Sequence, residues 1–178
     1  MHDIFLLLHI YIISFMANNQ CMHTLSKQPG MALTGYTRTG FCVDEDDDRG
    51  SHHICINLAS ISSTGKNFCT VTGQSDWCSS SMTCQGGGGG GGGGMCPVSN
   101  WCVCQWAFEG YIAKAGGCDA IQDITCDAVN IVALKAYAAN PKEHGMALAC
   151  LKEKCKLPQE EDGDTPIIER EYRRHAEI

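Results

Sequence analysis

Residues 100 to 108 read Asn100-Trp101-Cys102-Val103-Cys104-Gln105-Trp106-Ala107-Phe108, two tryptophans and a phenylalanine set around a Cys-x-Cys pair. Large aromatic surfaces bury well and cysteines are seldom left wet, so this stretch is expected at the centre of a compact domain, as core and crosslinking point together. In an α-helix, residues two apart point about 200° away from each other, and Cys102 and Cys104 would face different partners. In a strand they share a side. Val103 favours the strand, and the helical pattern begins only afterwards, so an extended segment over 101–105 is predicted to enter a helix near Trp106.

Downstream, Phe108, Tyr111, Ile112 and Ala115 recur at i, i+3, i+4 and i+7, and Gly116-Gly117 ends that helix. A second helix is predicted after Asp127 as N-cap, running to about residue 139 with Ile131, Leu134 and Ala138 on one face. Pro141 suits the first turn of a third, which carries Met146, Leu148, Cys150 and Leu151. On that helix Cys150 and Cys155 lie about 140° apart and do not pair with each other. Upstream, Gly30, Gly35, Gly40 and Gly50 punctuate a segment of turns and short strands, and the Ser, Thr and Gly-rich stretch from 57 to 96 reads as loops stapled to the core. The fold class is therefore α+β, a small cysteine-rich single domain with short strands and loops followed by two or three short helices.

A chain of 178 residues fits one domain plus tails. Residues 21–156 make the cysteine-rich globular part, with a Gly-rich insertion at 86–94 that reads as a tether spanning roughly 17 Å. Residues 157–178 form a polar tail, disordered by composition around Glu160 to Asp164. Residues 1–20 hold a fourteen-residue apolar run (4–17), too short for a stable membrane span and right for a signal-peptide core. Its flanks fit a signal peptide poorly: no Lys or Arg precedes it, and Phe15 stands where a small residue is expected before a cut after Ala17. The alternative is a mis-set start, with the chain opening at Met16. The net charge of -7 and pI near 5.4 exclude nucleic acid as partner, since that is bound by basic surface.

Several site patterns fail on spacing. Asp44, Asp46 and Asp48 alternate like the first ligands of an EF-hand loop, but the glycine comes seventh rather than sixth and Cys55 stands where the bidentate Glu is needed, which leaves a solvated acidic loop. The glycine run lacks the Lys-Ser/Thr of a phosphate loop. No Cys-x-x-Cys occurs, so neither a thioredoxin-type site nor a common zinc-knuckle spacing is present, and there is no Gly-x-Ser-x-Gly elbow.

Three ordered motifs carry a resemblance: Thr34-Gly35-Tyr36-Thr37-Arg38-Thr39-Gly40-Phe41-Cys42, Gly50-Ser51-His52-His53-Ile54-Cys55 and Trp101-Cys102-Val103-Cys104. Together they resemble the largely bacterial family called domain of unknown function 2237, over roughly residues 21–139 but not across 75–98. Gly65-Lys66-Asn67 echoes a Gly-Asn-Asp turn of that family. The resemblance implies Gly35, Arg38, Gly40, Cys42, Gly50 and Trp101 as family-motif positions, with His52, Cys55, Cys102 and Cys104 carrying its His and Cys pattern. Where the family has Thr-His, this chain has Thr125-Cys126. Cysteine and histidine interchange as metal ligands but not as catalytic bases.

His52, Cys55, Cys102, Cys104 and Cys126 are accordingly the candidate cluster, holding either a metal or a disulfide with His52 beside it. The competing reading has His52 capping a turn beside Gly50 and the cysteines as separate core fillers. Two function classes follow. The favoured one is a disulfide-stabilised structural or binding module with no cofactor and at least four disulfides, in a secreted or other oxidising compartment rather than the cytoplasm. Seven cysteines outside the family motifs (Cys69, Cys78, Cys84, Cys96, Cys118, Cys150 and Cys155) favour it, because bridges replace core in small domains. An odd total of thirteen leaves at least one thiol without an intrachain partner. The alternative is a metal-dependent enzyme, with zinc as the metal, or a thiol-based enzyme, built on the same five residues.

Overall fold

The structure is a computed structural model that describes residue 21, residues 30–84 and residues 94–157. The expectations for the amino-terminal apolar run, for most of the glycine run and for the charged tail fall outside these residues.

Period-2 alternation organises the centre. Strand β1 (Ile54–Asn57) is followed by a short helix α1 (Phe68–Thr72) and by the hairpin strands β2 (Ser81–Thr83) and β3 (Met95–Pro97), and then by β4 (Asn100–Val103). β1 and β4 pair antiparallel with Ile54 opposite Val103, Cys55 opposite Cys102 and Ile56 opposite Trp101. Successive side chains of a strand point to opposite faces. Ile54, Ile56, Trp101 and Val103 therefore enter the main core, where Phe68, Phe108, Tyr111, Ile112, Leu134, Tyr137 and Leu151 are buried with them. Cys55 and Cys102 enter a second buried cluster with Cys21, Cys42 and Ala128. A two-stranded ladder is marginal alone, and this one is buried on both faces.

The helices follow in order. α2 (Gln105–Ala115) starts one residue before Trp106 and stops at Gly116, whose left-handed φ of 97° closes the last turn. α4 (Pro141–Lys154) begins with proline in its first turn. Between them lies α3 (Ile131–Ala139), and its cap differs from the expectation. Asp127 sits inside a 3-10 turn (Cys126–Ala128), and Val129 is extended, so the helix begins at Asn130. The Asn130 side chain accepts from Val132 N–H at 3.0 Å and donates to the Cys42 carbonyl at 2.9 Å, tying the helix start to the cysteine face.

Three further expectations need correction. The segment from 57 to 96 is not loop alone: Asn67 caps α1 by accepting from Thr70 N–H, and β2 pairs with β3. Five residues are too few for a periodic apolar pattern to show. Trp106 is not part of the buried centre; it is 41% exposed, while Trp101 and Phe108 are buried. The acidic loop is solvated at Asp44 to Asp47 but not at Asp48, whose side chain is 1% exposed.

Gln122 holds the core's polar interior. Its Oε1 accepts from Phe68 N–H at 2.8 Å, its Nε2 donates to the carbonyls of Leu58 and Ser60 at 2.9 and 2.8 Å, and its own N–H donates to Tyr111 Oη at 3.1 Å. One buried amide thereby connects α1, the chain leaving β1 and α2.

Candidate functional site

All thirteen cysteines lie in the described residues, and twelve form six disulfides: Cys21–Cys55, Cys42–Cys102, Cys69–Cys78, Cys84–Cys96, Cys118–Cys150 and Cys126–Cys155. Cys104 is the free thiol, half-buried. Cys150 and Cys155 each pair elsewhere, as their helical spacing requires.

The sulfur centre is built by the β1–β4 register. Cys55 and Cys102 face each other, and their backbones do not bond to one another: Cys102 N–H donates to the buried Thr34 hydroxyl at 2.8 Å, and the Cys55 carbonyl accepts from Thr125 N–H at 2.9 Å. They thus form the closer, non-hydrogen-bonded kind of antiparallel pair. Each sulfur bonds outward, Cys55 to Cys21 and Cys102 to Cys42. The sulfurs of Cys21, Cys42 and Cys102 all lie within 4.8 Å of one another. Two disulfides packed together, fully buried, replace the apolar side chains a larger protein would put there.

Of the five residues singled out by sequence, Cys55 and Cys102 come together in this centre. Cys126 follows Thr125, whose N–H reaches the Cys55 carbonyl, but its sulfur bonds to Cys155. Cys104 lies at the N-cap of α2 and keeps its thiol. His52 belongs to the acidic loop. Its backbone N–H donates to Asp48 Oδ2 at 2.7 Å, and its ring Nδ1 donates to Asp48 Oδ1 at 2.7 Å. Its ring also stacks on Tyr36, with centroids 6.0 Å apart.

That loop has a defined electrostatic structure. Burial alone would raise the Asp48 carboxyl, but the N–H groups of His52 and Gly50 and the His52 ring stabilise the carboxylate and hold it below the usual range. Exposed Tyr36 is pushed above its ordinary value, chiefly by the charge of Asp47. Glycine is required at Gly35, where φ is 89° and a Cβ would lie 2.3 Å from the Phe41 carbonyl oxygen, whereas a Cβ at Gly50 would lie 2.5 Å from His52 Cε1 and would push that ring aside. Arg38 reaches back over the Trp101 ring, 4.8 Å from its centroid, which joins two of the motif segments by a cation–π contact.

The neighbouring His53 is the buried histidine that sequence reasoning passed over. Its Nδ1 pairs with Gln105 Oε1 at 2.8 Å. Asp44 Oδ1 lies 3.0 Å from its Nε2 but out of line, so that nitrogen has no hydrogen-bond partner. Gln105 in turn offers its carbonyl to the Tyr137 hydroxyl. Burial first, then the charges of Glu109 and Cys104, push the Tyr137 phenol far above its ordinary value, so it remains a neutral donor. No local signal separates it from His52: it precedes Ile54, the first residue of β1, and the phase of that strand decides which histidine points inward.

Compared with known proteins, the chain matches no family model, no curated protein and no solved structure. What the geometry defines is a disulfide-crosslinked α+β domain. No helix among the described residues is long and apolar enough to cross a membrane.

Proposed function

We propose that the chain is a disulfide-stabilised structural or binding module that works in a secreted or other oxidising compartment. The observation that carries this reading is the pairing of twelve of thirteen cysteines into six bridges, two of them at the centre of the fold. Disulfides on this scale persist where thiols are not kept reduced. The reading also draws on the resemblance of the three motif segments to domain of unknown function 2237: Cys42, Cys55 and Cys102 supply three of the four central sulfurs, while Gly35, Gly50, Arg38 and Trp101 shape the segments that bring them together.

Weighing against a thiol-based or zinc enzyme built on His52, Cys55, Cys102, Cys104 and Cys126 is the state of those residues. Three of the four sulfurs are spent in disulfides, and His52 is engaged by Asp48. A disulfide sulfur is neither nucleophile nor thiolate ligand.

Thiol counting tests the proposal. Denatured, unreduced protein should label at about one cysteine per chain, Cys104, and label at all thirteen after reduction. Metal analysis of the same sample should find no stoichiometric metal. Free titration of most cysteines without reductant would overturn the module reading.

A further inference from the structure

We propose that the central sulfurs form a second, mutually exclusive state: when Cys21–Cys55 and Cys42–Cys102 are reduced, the four thiolates bind one zinc ion. Cys21, Cys42 and Cys102 already bring their sulfurs within 4.8 Å of one another, and Cys55 is held against Cys21 by its bond. Around a tetrahedral zinc with bonds of about 2.3 Å, ligand sulfurs stand about 3.8 Å apart, so the site needs each bonded pair to open, Cys21 to close on Cys42 and Cys102 by up to about 1 Å, and Cys55, whose sulfur lies outside that group of three, to swing in beside it. Among the described residues no other group of three or more His, Cys, Asp or Glu side chains gathers its ligand atoms this closely.

The backbone supports the same site. Cys55 and Cys102 are opposed across β1 and β4 in the close, non-hydrogen-bonded register, so two ligands are placed by backbone pairing and not by a bond between them. Cys42 is held by the bond from Asn130 to its carbonyl, and Cys21 by its N–H to the Gly40 carbonyl at 2.9 Å. Four soft sulfur ligands with no oxygen donor in the set select zinc or another thiophilic ion over magnesium or calcium. The chemistry balances without further partners than a dithiol and the ion. For each disulfide the dithiol gives up two electrons and two protons and becomes a disulfide itself, leaving two cysteine thiols; zinc then binds as the four thiols release their protons to solvent.

The full chain, reduced and refolded anaerobically with one equivalent of cobalt(II) as a spectroscopic stand-in for zinc, should show the thiolate charge-transfer and visible bands of a tetrahedral four-sulfur site. Zinc should displace the cobalt at about one ion per chain. Alkylation of the zinc-loaded protein should spare Cys21, Cys42, Cys55 and Cys102 and modify Cys104, and the oxidised protein should bind neither ion. C42S/C102S should abolish the four-sulfur spectrum, while C69S/C78S, which removes two thiols from another part of the fold, should keep it. Absence of the spectrum from the reduced native chain, for whatever reason, or protection of a different set of cysteines, would overturn the proposal. Neither result would alter the disulfide count of the oxidised protein, which tests the module reading separately.

Discussion

Cys55 and Cys102 stand directly opposite each other on β1 and β4, yet each is bonded to a cysteine from outside the ladder, Cys21 and Cys42. The ladder thereby anchors two cysteines that themselves lie in no strand or helix. A direct Cys55–Cys102 bridge would have tied together only strands that already pair.

The stability of the bridges should follow the length of chain each one closes. Cys42–Cys102 spans 60 residues, Cys21–Cys55 spans 34 and Cys69–Cys78 spans 9. On the loop-entropy scale, removing both cysteines of the first or second bridge should cost about 4 kcal/mol, and of the third about 2.5 kcal/mol. Denaturant unfolding of the three double-serine variants should give that order. A larger loss from C69S/C78S than from C42S/C102S would show that packing, not chain closure, sets the ranking.

How far the sequence discloses this fold depends on the range of the interaction. The stripe at Phe108, Tyr111, Ile112 and Ala115, the stop at Gly116 and the proline start at Pro141 are local signals, and the helices stand where they indicate. The extended Cys-x-Cys segment follows from Val103 and the absence of a helical stripe before it. Pairing of cysteines is a long-range matter that neither spacing nor motif order contains: Cys21 lies 34 residues from its partner and carries no local mark. Asn130 displaced Asp127 as cap because its amide can accept from Val132 and donate to Cys42 at once, and that second partner is 88 residues away. His53 rather than its neighbour His52 is buried because the strand phase, which the sequence leaves open by one residue, decides which of the two points inward.

Glycine positions give a paired test. Gly35 has φ of 89° and no room for a Cβ, so Gly35→Ala should destabilise by about 1–3 kcal/mol or more. Gly110 lies in α2, where a Cβ would meet nothing within 4 Å, and Gly110→Ala should stabilise by about 0.5–1 kcal/mol. Thermal unfolding of the two variants should move in opposite directions. A neutral Gly35→Ala would mean that the Gly35–Phe41 turn relaxes freely.

Asp48 predicts an acid-sensitive component of stability. Its folded carboxyl lies below the ordinary value, whereas in the unfolded chain it returns to about 3.9. The folded state therefore binds fewer protons in that range. The contribution is fully present above pH about 4 and is lost as pH falls through the depressed folded value. Unfolding measured from neutral pH downward should show a loss in the native protein that is smaller in Asp48→Asn. Identical acid limbs in the two proteins would remove Asp48 from the account.

Arg38 and Trp101 should be energetically coupled. The guanidinium lies over a ring that is itself packed on Trp77, with centroids 5.4 Å apart. Trp101→Ala should cost about 3–5 kcal/mol as a core truncation, and Arg38→Ala much less. In a double-mutant cycle the pair should couple by about 0.5–2 kcal/mol, the range of a partly desolvated cation–π contact. Additive losses would show that Arg38 is placed there by its turn alone, where it adopts φ of 57°.

Gln122 should be among the costliest polar residues to replace. It is buried and serves Phe68 N–H and the Leu58 and Ser60 carbonyls with one side chain. Leucine in its place keeps most of the volume but leaves three backbone groups without that partner, and an unsatisfied buried group costs about 1–3 kcal/mol. Gln122→Leu should therefore lose several times the stability of an average substitution. Gln122→Glu separates the two halves of the amide's work: it can still accept from Phe68 N–H, but it sets an oxygen against the two carbonyls in place of a donor. At neutral pH it should be at least as damaging as leucine, and it should recover partly on acidification, when a protonated carboxyl again donates to one carbonyl. Near-native stability of Gln122→Glu at neutral pH would show that the Phe68 bond, which glutamate keeps, rather than the pair of carbonyls, is what the residue is there to hold.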